Sequence, residues 1–336
     1  MNTSQQPVKS KEKIPQSSTG LFQFLYKYGT IVTVVLLVII FTILEPRFIQ
    51  TDNLINILRS ISIVTIIAIG VTISLTVNGF DLSVGSTASL ANAVVMAMFV
   101  WFSQDTVIAL ISALLAALLV GFFNAFMIVK LKVPDMLLTL ATMFIIQGVA
   151  LTFTRGATIS PNMVMPDGTF AEGQIPPFFS KLGQVPWIII LMIVIVVAVH
   201  IFLNHTKHGR YMYMIGGNEE AARLSGIAVN KYKWLAYSLS STFAAIGGII
   251  LASRVMRAEI SAGAPYLMEA VAATFIGFAV LGKGKPNAFG TFVGAVLIGL
   301  LANGLVMLSV PYYAMDIVKG TVLAFALAVT YYKQKH

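Results

Sequence analysis

Residues 186–204 read Pro186-Trp-Ile-Ile-Ile-Leu-Met-Ile-Val-Ile-Val-Val-Ala-Val-His200-Ile-Phe-Leu-Asn204, with no Asp, Glu, Lys or Arg among them. A helix needs about 20 apolar residues to cross a bilayer core. This run therefore decides the class of the chain, and it has company. Comparable runs lie at 25–44, 60–78, 84–102, 107–129, 136–154, 234–252, 264–281, 288–308 and 313–332. The expected fold is an all-α polytopic membrane protein of about ten transmembrane helices. Its weakest divisions are Asn78-Gly79-Phe80-Asp81, which cuts one long apolar region in two, and the segment holding Lys283, Lys285 and Pro286.

Composition agrees. Apolar residues make up 57% of the chain and charged ones 10%, against a soluble average of about 25% charged. The mean hydropathy is +0.87. The absence of cysteine excludes a disulfide, a thiolate catalyst and any Cys-based metal site, and leaves the redox compartment open. The net charge of +9 is explained by its placement. With the N-terminus in the cytosol and ten alternating spans, 15 of the 22 basic residues fall on the inner side and six on the outer, with Lys319 inside the last span. That bias follows the positive-inside rule and puts both termini in the cytosol. It leaves no reason to invoke nucleic acid.

The polar residues 1–24 are expected to be a disordered cytosolic tail, and residues 25–332 one membrane domain. The first apolar run has no small-residue cleavage site behind it, so it reads as a retained span. Residues 155–185 form the longest outer loop, punctuated by Pro161, Pro166, Pro176 and Pro177. Residues 205–233 form the longest inner loop. Inside it, Gly216-Gly217-Asn218-Glu219-Glu220-Ala221-Ala222-Arg223-Leu224-Ser225-Gly226-Ile227 specifies a short helix. Asn218 is a strong N-cap, Glu219 and Glu220 place negative charge on the first turn, and Gly226 suits the end. Such a helix is either a contact for another protein or an ordinary juxtamembrane helix lying on lipid.

Two motifs carry a family resemblance. Asn78-Gly79-Phe80-Asp81-Leu82-Ser83-Val84-Gly85-Ser86 is similar to an element of the bacterial sugar ABC-importer permeases of the ribose type. Gly217 to Ile227 resembles the cytosolic coupling element of the same family, and Asn303-Gly304-Leu305 with Val318-Lys319-Gly320 matches its C-terminal pattern. The resemblance covers most of the chain after residue 50. It implies the permease subunit of an ATP-driven importer of a sugar or sugar-like solute in a bacterial plasma membrane. It further implies a second permease chain, a cytosolic ABC ATPase dimer and an extracytoplasmic solute-binding protein. ATP and magnesium would sit on the ATPase, with no cofactor on this chain. Asn218, Glu219, Glu220, Ala221, Ala222, Arg223, Leu224, Ser225 and Gly226 would contact that ATPase.

The polar residues within the apolar regions have two readings. Asp81 either caps the helix that begins at Leu82 or Ser83 or lines the solute path, since a carboxylate at membrane depth is costly. Asn92, Asn124, Gln147 and Asn303, with Thr139 and Thr142, suit hydrogen bonding to a sugar, yet such groups also hold helices together in lipid. These, with Asp81, are the candidate path residues. Arg254, Arg257, Glu259 and Glu269 lie near the outer mouth, either to pair with a docked protein or to be solvated.

Other patterns point away from chemistry on this chain. Gly277 to Gly284 nearly spells a phosphate-binding loop, but Gly284 stands where Ser or Thr should hold magnesium, and no strand precedes it. His200, His205 and His208 lack an acidic or thiol neighbour that would complete a metal site. No hydrolase signature occurs. Gly290, Gly294 and Gly299 read as a close helix–helix contact, within the chain or between subunits. The alternative function is an ion-coupled secondary transporter, whose mark would be carboxylates buried within spans.

Overall fold

The computed structural model describes residues 20–279, 284–311, 313–321 and 324. Among these residues the regular elements are helices, and the only β pairing is two isolated bridges, Ile159 with Ala258 and Val164 with Phe170. The order is α1 (Gly20–Leu44), a 3-10 turn (Pro46–Ile49), α2 (Thr51–Leu75), α3 (Val84–Val100), α4 (Thr106–Val129), α5 (Asp135–Thr154) and α6 (Pro177–Leu182). Then come α7 (Trp187–His205), α8 (Lys207–Gly217), α9 (Glu219–Leu224), α10 (Val229–Val255), α11 (Ala264–Ala279) and α12 (Ala288–Met307). Six of these (α2, α4, α5, α7, α10 and α12) are long and apolar enough to cross a membrane. Gly29–Leu44 within α1, all of α3 and Ala264–Phe278 within α11 are shorter apolar helices. Nine of the ten expected spans thus coincide with helices. The tenth is helical over 313–321, and the rest of it lies outside the described residues, as do residues 1–19 of the tail.

Boundaries differ where polar residues continue a helix. The second helix begins at Thr51 rather than 60, and α10 at Val229 rather than 234. Hydropathy cannot see these turns. Asp52 sits in the first turn of α2, where the helix dipole favours an acid, and the Asn53 amide donates to the Phe48 carbonyl at 2.8 Å. The break at Asn78 to Asp81 is real: α2 ends at Leu75, Asn78 takes φ +57, and α3 starts at Val84.

The bundle is built around α2, α3 and α10. The apolar windows of α2 and α10 are 67% buried, against 22% for α5, which places α5 on the outside of the chain. The helices α4 and α7 also turn apolar stripes outward: Leu115, Leu119, Phe122 and Phe126 on the one, Ile190, Val194, Val197 and Ile201 on the other. Apolar side chains on an outer face are the expected surface in lipid. The small residues of α12 make their close contact within the chain. Gly290 abuts the Gly277 carbonyl, and a Cβ at Gly294 would run into the Ala273 carbonyl of α11. Gly277 is therefore a packing residue; residues 280–283 of the phosphate-loop-like stretch lie outside the described residues.

Two sets of connections gather at opposite ends. At one end meet the α2–α3 break, the α4–α5 turn, the α8–α9 segment and residues 284–287. They are joined by bonds such as Phe80 N–H to Asp135 Oδ2 (3.1 Å) and Tyr213 Oη–H to the Pro286 carbonyl (2.7 Å). At the other end residues 155–186 fold over the bundle. There the Gly183 N–H donates to Ser253 Oγ (2.7 Å), and the Ser253 hydroxyl donates to the Phe179 carbonyl (2.5 Å).

Candidate functional site

The inner loop of the sequence reading contains two helices, α8 and α9. The second is the short polar one expected from its caps. Asn218 has an extended backbone (φ −160, ψ 105), and its Oδ1 accepts from the Ala221 N–H at 2.9 Å. Glu219 and Glu220 occupy the first turn. Gly226, at φ +80, lets the chain leave in a left-handed turn, with the Ile227 N–H returning to the Ala222 carbonyl at 3.1 Å. Preceding α8 was not legible in hydropathy. It is amphipathic, with Gly209, Met212 and Ile215 buried, and Thr206 caps its start by accepting from the Gly209 N–H at 3.2 Å.

The faces of α9 are distinct. Ala222 is 1% exposed and packs on the core, whereas Leu224 is 83% exposed. Glu219 Oε1 pairs with Arg223 at 2.9 Å, and its Oε2 pairs with Lys233 of α10 at 2.7 Å. The hydrogen bond from Lys233 holds the Glu219 carboxyl below the usual carboxylate range. This ion pair bolts α9 to the start of α10. Glu220 makes no ion pair among the described residues, so Glu220, Ala221 and Leu224 are left to face outward.

Behind α9, the last turn of α8 rests on the α2–α3 break. A Cβ at Gly216 would collide with the Thr76 carbonyl. Tyr213, whose hydroxyl bonds Pro286, also lies under the Lys285 ammonium at 4.7 Å from its ring centre. Burial pushes the Tyr213 pKa up to about 12, so it stays a donor at ordinary pH.

The break itself is held by a buried polar cluster. Asp81 is 0% exposed. Its Oδ1 accepts the Ser83 N–H (2.9 Å) and hydroxyl (2.6 Å), and its Oδ2 accepts the Ser240 hydroxyl of α10 (2.7 Å). The Asn124 amide of α4 donates to Ser83 Oγ (3.0 Å), and the Thr142 hydroxyl of α5 donates to Asn124 Oδ1 (2.7 Å). A second carboxylate closes the cluster. Asp135 Oδ2 accepts the Phe80 N–H and the Tyr237 hydroxyl, both at 3.1 Å, and the Thr139 hydroxyl donates to the Phe80 carbonyl at 2.9 Å. Three helices, α4, α5 and α10, thus converge on residues 80–83. Asp81 does not cap the helix as the capping reading expects: α3 begins at Val84 with Ser83 as its N-cap, and the Ser83 N–H that Asp81 accepts closes a turn ahead of the helix.

Residues 53–327 match the family model described as the branched-chain amino acid transport system / permease component. The ribose import permease protein of Escherichia coli K12 is 35% identical over 311 residues, covering 93% of this chain and 95% of that one. The chain belongs to the ribose-type permease family of bacterial ABC importers. The ribose import permease of Bacillus subtilis is 36% identical over 301 residues (90% and 91% of the two chains). The xylose transport system permease of Haemophilus influenzae is 29% identical over 336 residues (84% and 90%). The permease is a transport subunit and not an enzyme, a multi-pass protein of a bacterial membrane.

Of the five path residues expected in this permease, the structure brings Asp81 and Asn124 together through Ser83. Asn92, buried on α3, donates to the Gly248 carbonyl at 3.3 Å, and its Oδ1 has no partner among the described residues. Gln147 donates to Ser261 Oγ near the far end. Asn303 exchanges two 3.0 Å bonds with Asn53, tying α12 to α2. Glu269 pairs with Lys319 at 2.6 Å, so the basic residue expected inside the last span has its partner in α11. Arg257 pairs with Glu259. The His200 and His205 rings lie 6.0 Å apart, and His208 Nδ1 shares a 3.1 Å hydrogen bond with the Tyr232 hydroxyl. Sequence reasoning missed Asp135, Ser83, Ser240 and Tyr237. Only Asp135, directly after Pro134 at a helix start, carried a local signal.

Proposed function

We propose that this permease imports a sugar or sugar-like solute, driven by ATP hydrolysed on a partner ATPase that docks on α9. The relatives named for ribose and xylose import support the solute class and make those pentoses the first to test. The observation that carries the docking assignment is the two-faced α9. Its inner side is fixed to α10 through Glu219 and Lys233, while Leu224 stands free. An exposed leucine on a rigid, anchored helix suits a groove in another protein. The positive-inside bias supports ten spans with both termini in the cytosol, which puts α9 where an ATPase can reach it. A second permease chain and an outer solute-binding protein complete the proposed importer. Asp81, Asn92, Asn124, Gln147 and Asn303 remain the proposed lining of its path.

The test is uptake of labelled ribose and xylose by proteoliposomes holding the permease with its ATPase and binding protein. Glu220→Lys combined with Leu224→Asp is expected to cut ATP-dependent uptake at least tenfold, with the amount of permease in the membrane unchanged. Arg223 is a poorer target, because it is tied internally to Glu219. Uptake at the normal rate in the double variant would overturn the α9 assignment. Uptake that ignores ATP and follows a proton or sodium gradient would overturn the ATP-driven reading.

A further inference from the structure

At the α8–α9 end a groove of about 580 Å³ opens on the outer face of the bundle. Trp234 and Leu235 of α10 form its floor, Phe122 of α4 one wall and Phe202 of α7 the other. The Phe122 and Trp234 rings lie 5.9 Å apart. Lys231 and His208 line the same groove. The walls continue into the two outward apolar stripes, Leu115 and Leu119 on α4 and Val194, Val197 and Ile201 on α7. The groove therefore begins in the hydrocarbon and ends among basic residues at the membrane–water boundary.

The charge at its mouth is unspent. Lys231 is exposed and makes no ion pair among the described residues. The nearby carboxylate of Glu219 is already taken by Lys233 and Arg223. His208 uses Nδ1 on Tyr232, which leaves its Nε2 edge free for another group. An indole at the floor suits the headgroup level of a bilayer. A cation without a counter-ion above an aromatic, apolar cleft is complementary to one occupant, an anionic phospholipid.

We propose that this groove is a binding site for an anionic phospholipid. The phosphate sits at Lys231 and His208, and one acyl chain lies along Trp234, Phe122, Leu235 and Phe202. A zwitterionic lipid is disfavoured because its ammonium would face Lys231. A protein partner would have to cover both apolar stripes, whereas a lipid leaves them in hydrocarbon.

The test uses tryptophan quenching. The chain has three tryptophans; Trp101 and Trp187 belong to the opposite end, so Trp101→Phe with Trp187→Phe isolates Trp234. This variant is reconstituted into phosphatidylcholine vesicles carrying increasing fractions of brominated phosphatidylglycerol or brominated phosphatidylcholine. Brominated phosphatidylglycerol is expected to quench Trp234 at roughly fivefold lower mole fraction, the factor one basic residue at an anionic surface provides. Lys231→Gln is expected to bring the two curves together. If the double Phe variant does not fold, the wild-type chain is compared with Lys231→Gln, and the difference reports the same site. Equal quenching by both lipids in the wild-type background would overturn the proposal in favour of an unselective lipid annulus. No quenching by either would overturn it in favour of a protein covering the groove.

Discussion

Replacing Asp81 with leucine removes the acceptor of three buried hydrogen bonds. The Ser83 N–H then has no partner, at a cost of about 1–3 kcal/mol. The Ser83 and Ser240 hydroxyls can rotate toward helix carbonyls, so each loses only about 1 kcal/mol. The sum is roughly 3–5 kcal/mol, a large fraction of the ~5–15 kcal/mol typical of a folded protein. Asparagine keeps Oδ1 for Ser83 and offers an amide to Ser240 Oγ, which reverses its role and accepts. Its cost is about 1 kcal/mol. Ser240→Ala, which removes the Oδ2 partner alone, should fall near the asparagine variant. The assay is the fraction of purified permease that stays monodisperse after a heating series in one detergent. The expected order of midpoints is wild type, then Asn and Ser240→Ala together, then Leu far below. An asparagine variant as damaged as the leucine one would show that the charge itself is needed. A harmless leucine would show that Asp81 does not hold the break.

Four further outcomes are expected. Gly294→Ala should destabilise by an amount near the upper end of the ~1–3 kcal/mol typical of overpacking, because the obstacle is a backbone carbonyl. Gly148→Ala, with open space around it, should be neutral or stabilising in the same heating assay. Lys319→Met alone should cost up to about 3 kcal/mol by stranding Glu269, and adding Glu269→Gln should recover part of it; if the double variant is as unstable as the single, a stranded carboxylate is not the cause of the loss. The depressed pKa of Glu219 makes its tie to Lys233 fully present above the unfolded value of 4.5 and lost as pH falls through the lower folded value. Because the chain has no cysteine, a spin label on Leu224→Cys can report this: it should loosen in acid below that value, and should already be loose at pH 7 in Glu219→Gln.

Legibility followed the range of the interactions. Long apolar runs and the caps of α9 act over a few residues, and both were readable. The extension of α2 to Thr51 and of α10 to Val229 was not, since polar helical turns carry no hydropathy signal. Helix α8 was hidden because its apolar residues are spaced for one face and average out along the sequence. The cluster at Asp81 was half visible. A carboxylate and an asparagine in apolar surroundings attract notice, but Ser83, Ser240 and Tyr237 are ordinary residues until packing brings them to one point. The partner of Lys319 was beyond reach for the same reason, being 50 residues away in α11.

The longest described helix also has the most consequence. From Val229 to Val255, α10 contains no proline and spans about 40 Å at 1.5 Å per residue. Near one tip Lys233 is fastened to α9, and near the other Ser253 is fastened to the segment at Phe179 and Gly183. A rod tied at both tips cannot slide at one without straining the other. Any axial pull on α9 either arrives at the far face of the membrane or snaps a tie on the way. The thickness of the bilayer is thus bridged by a single uninterrupted strut.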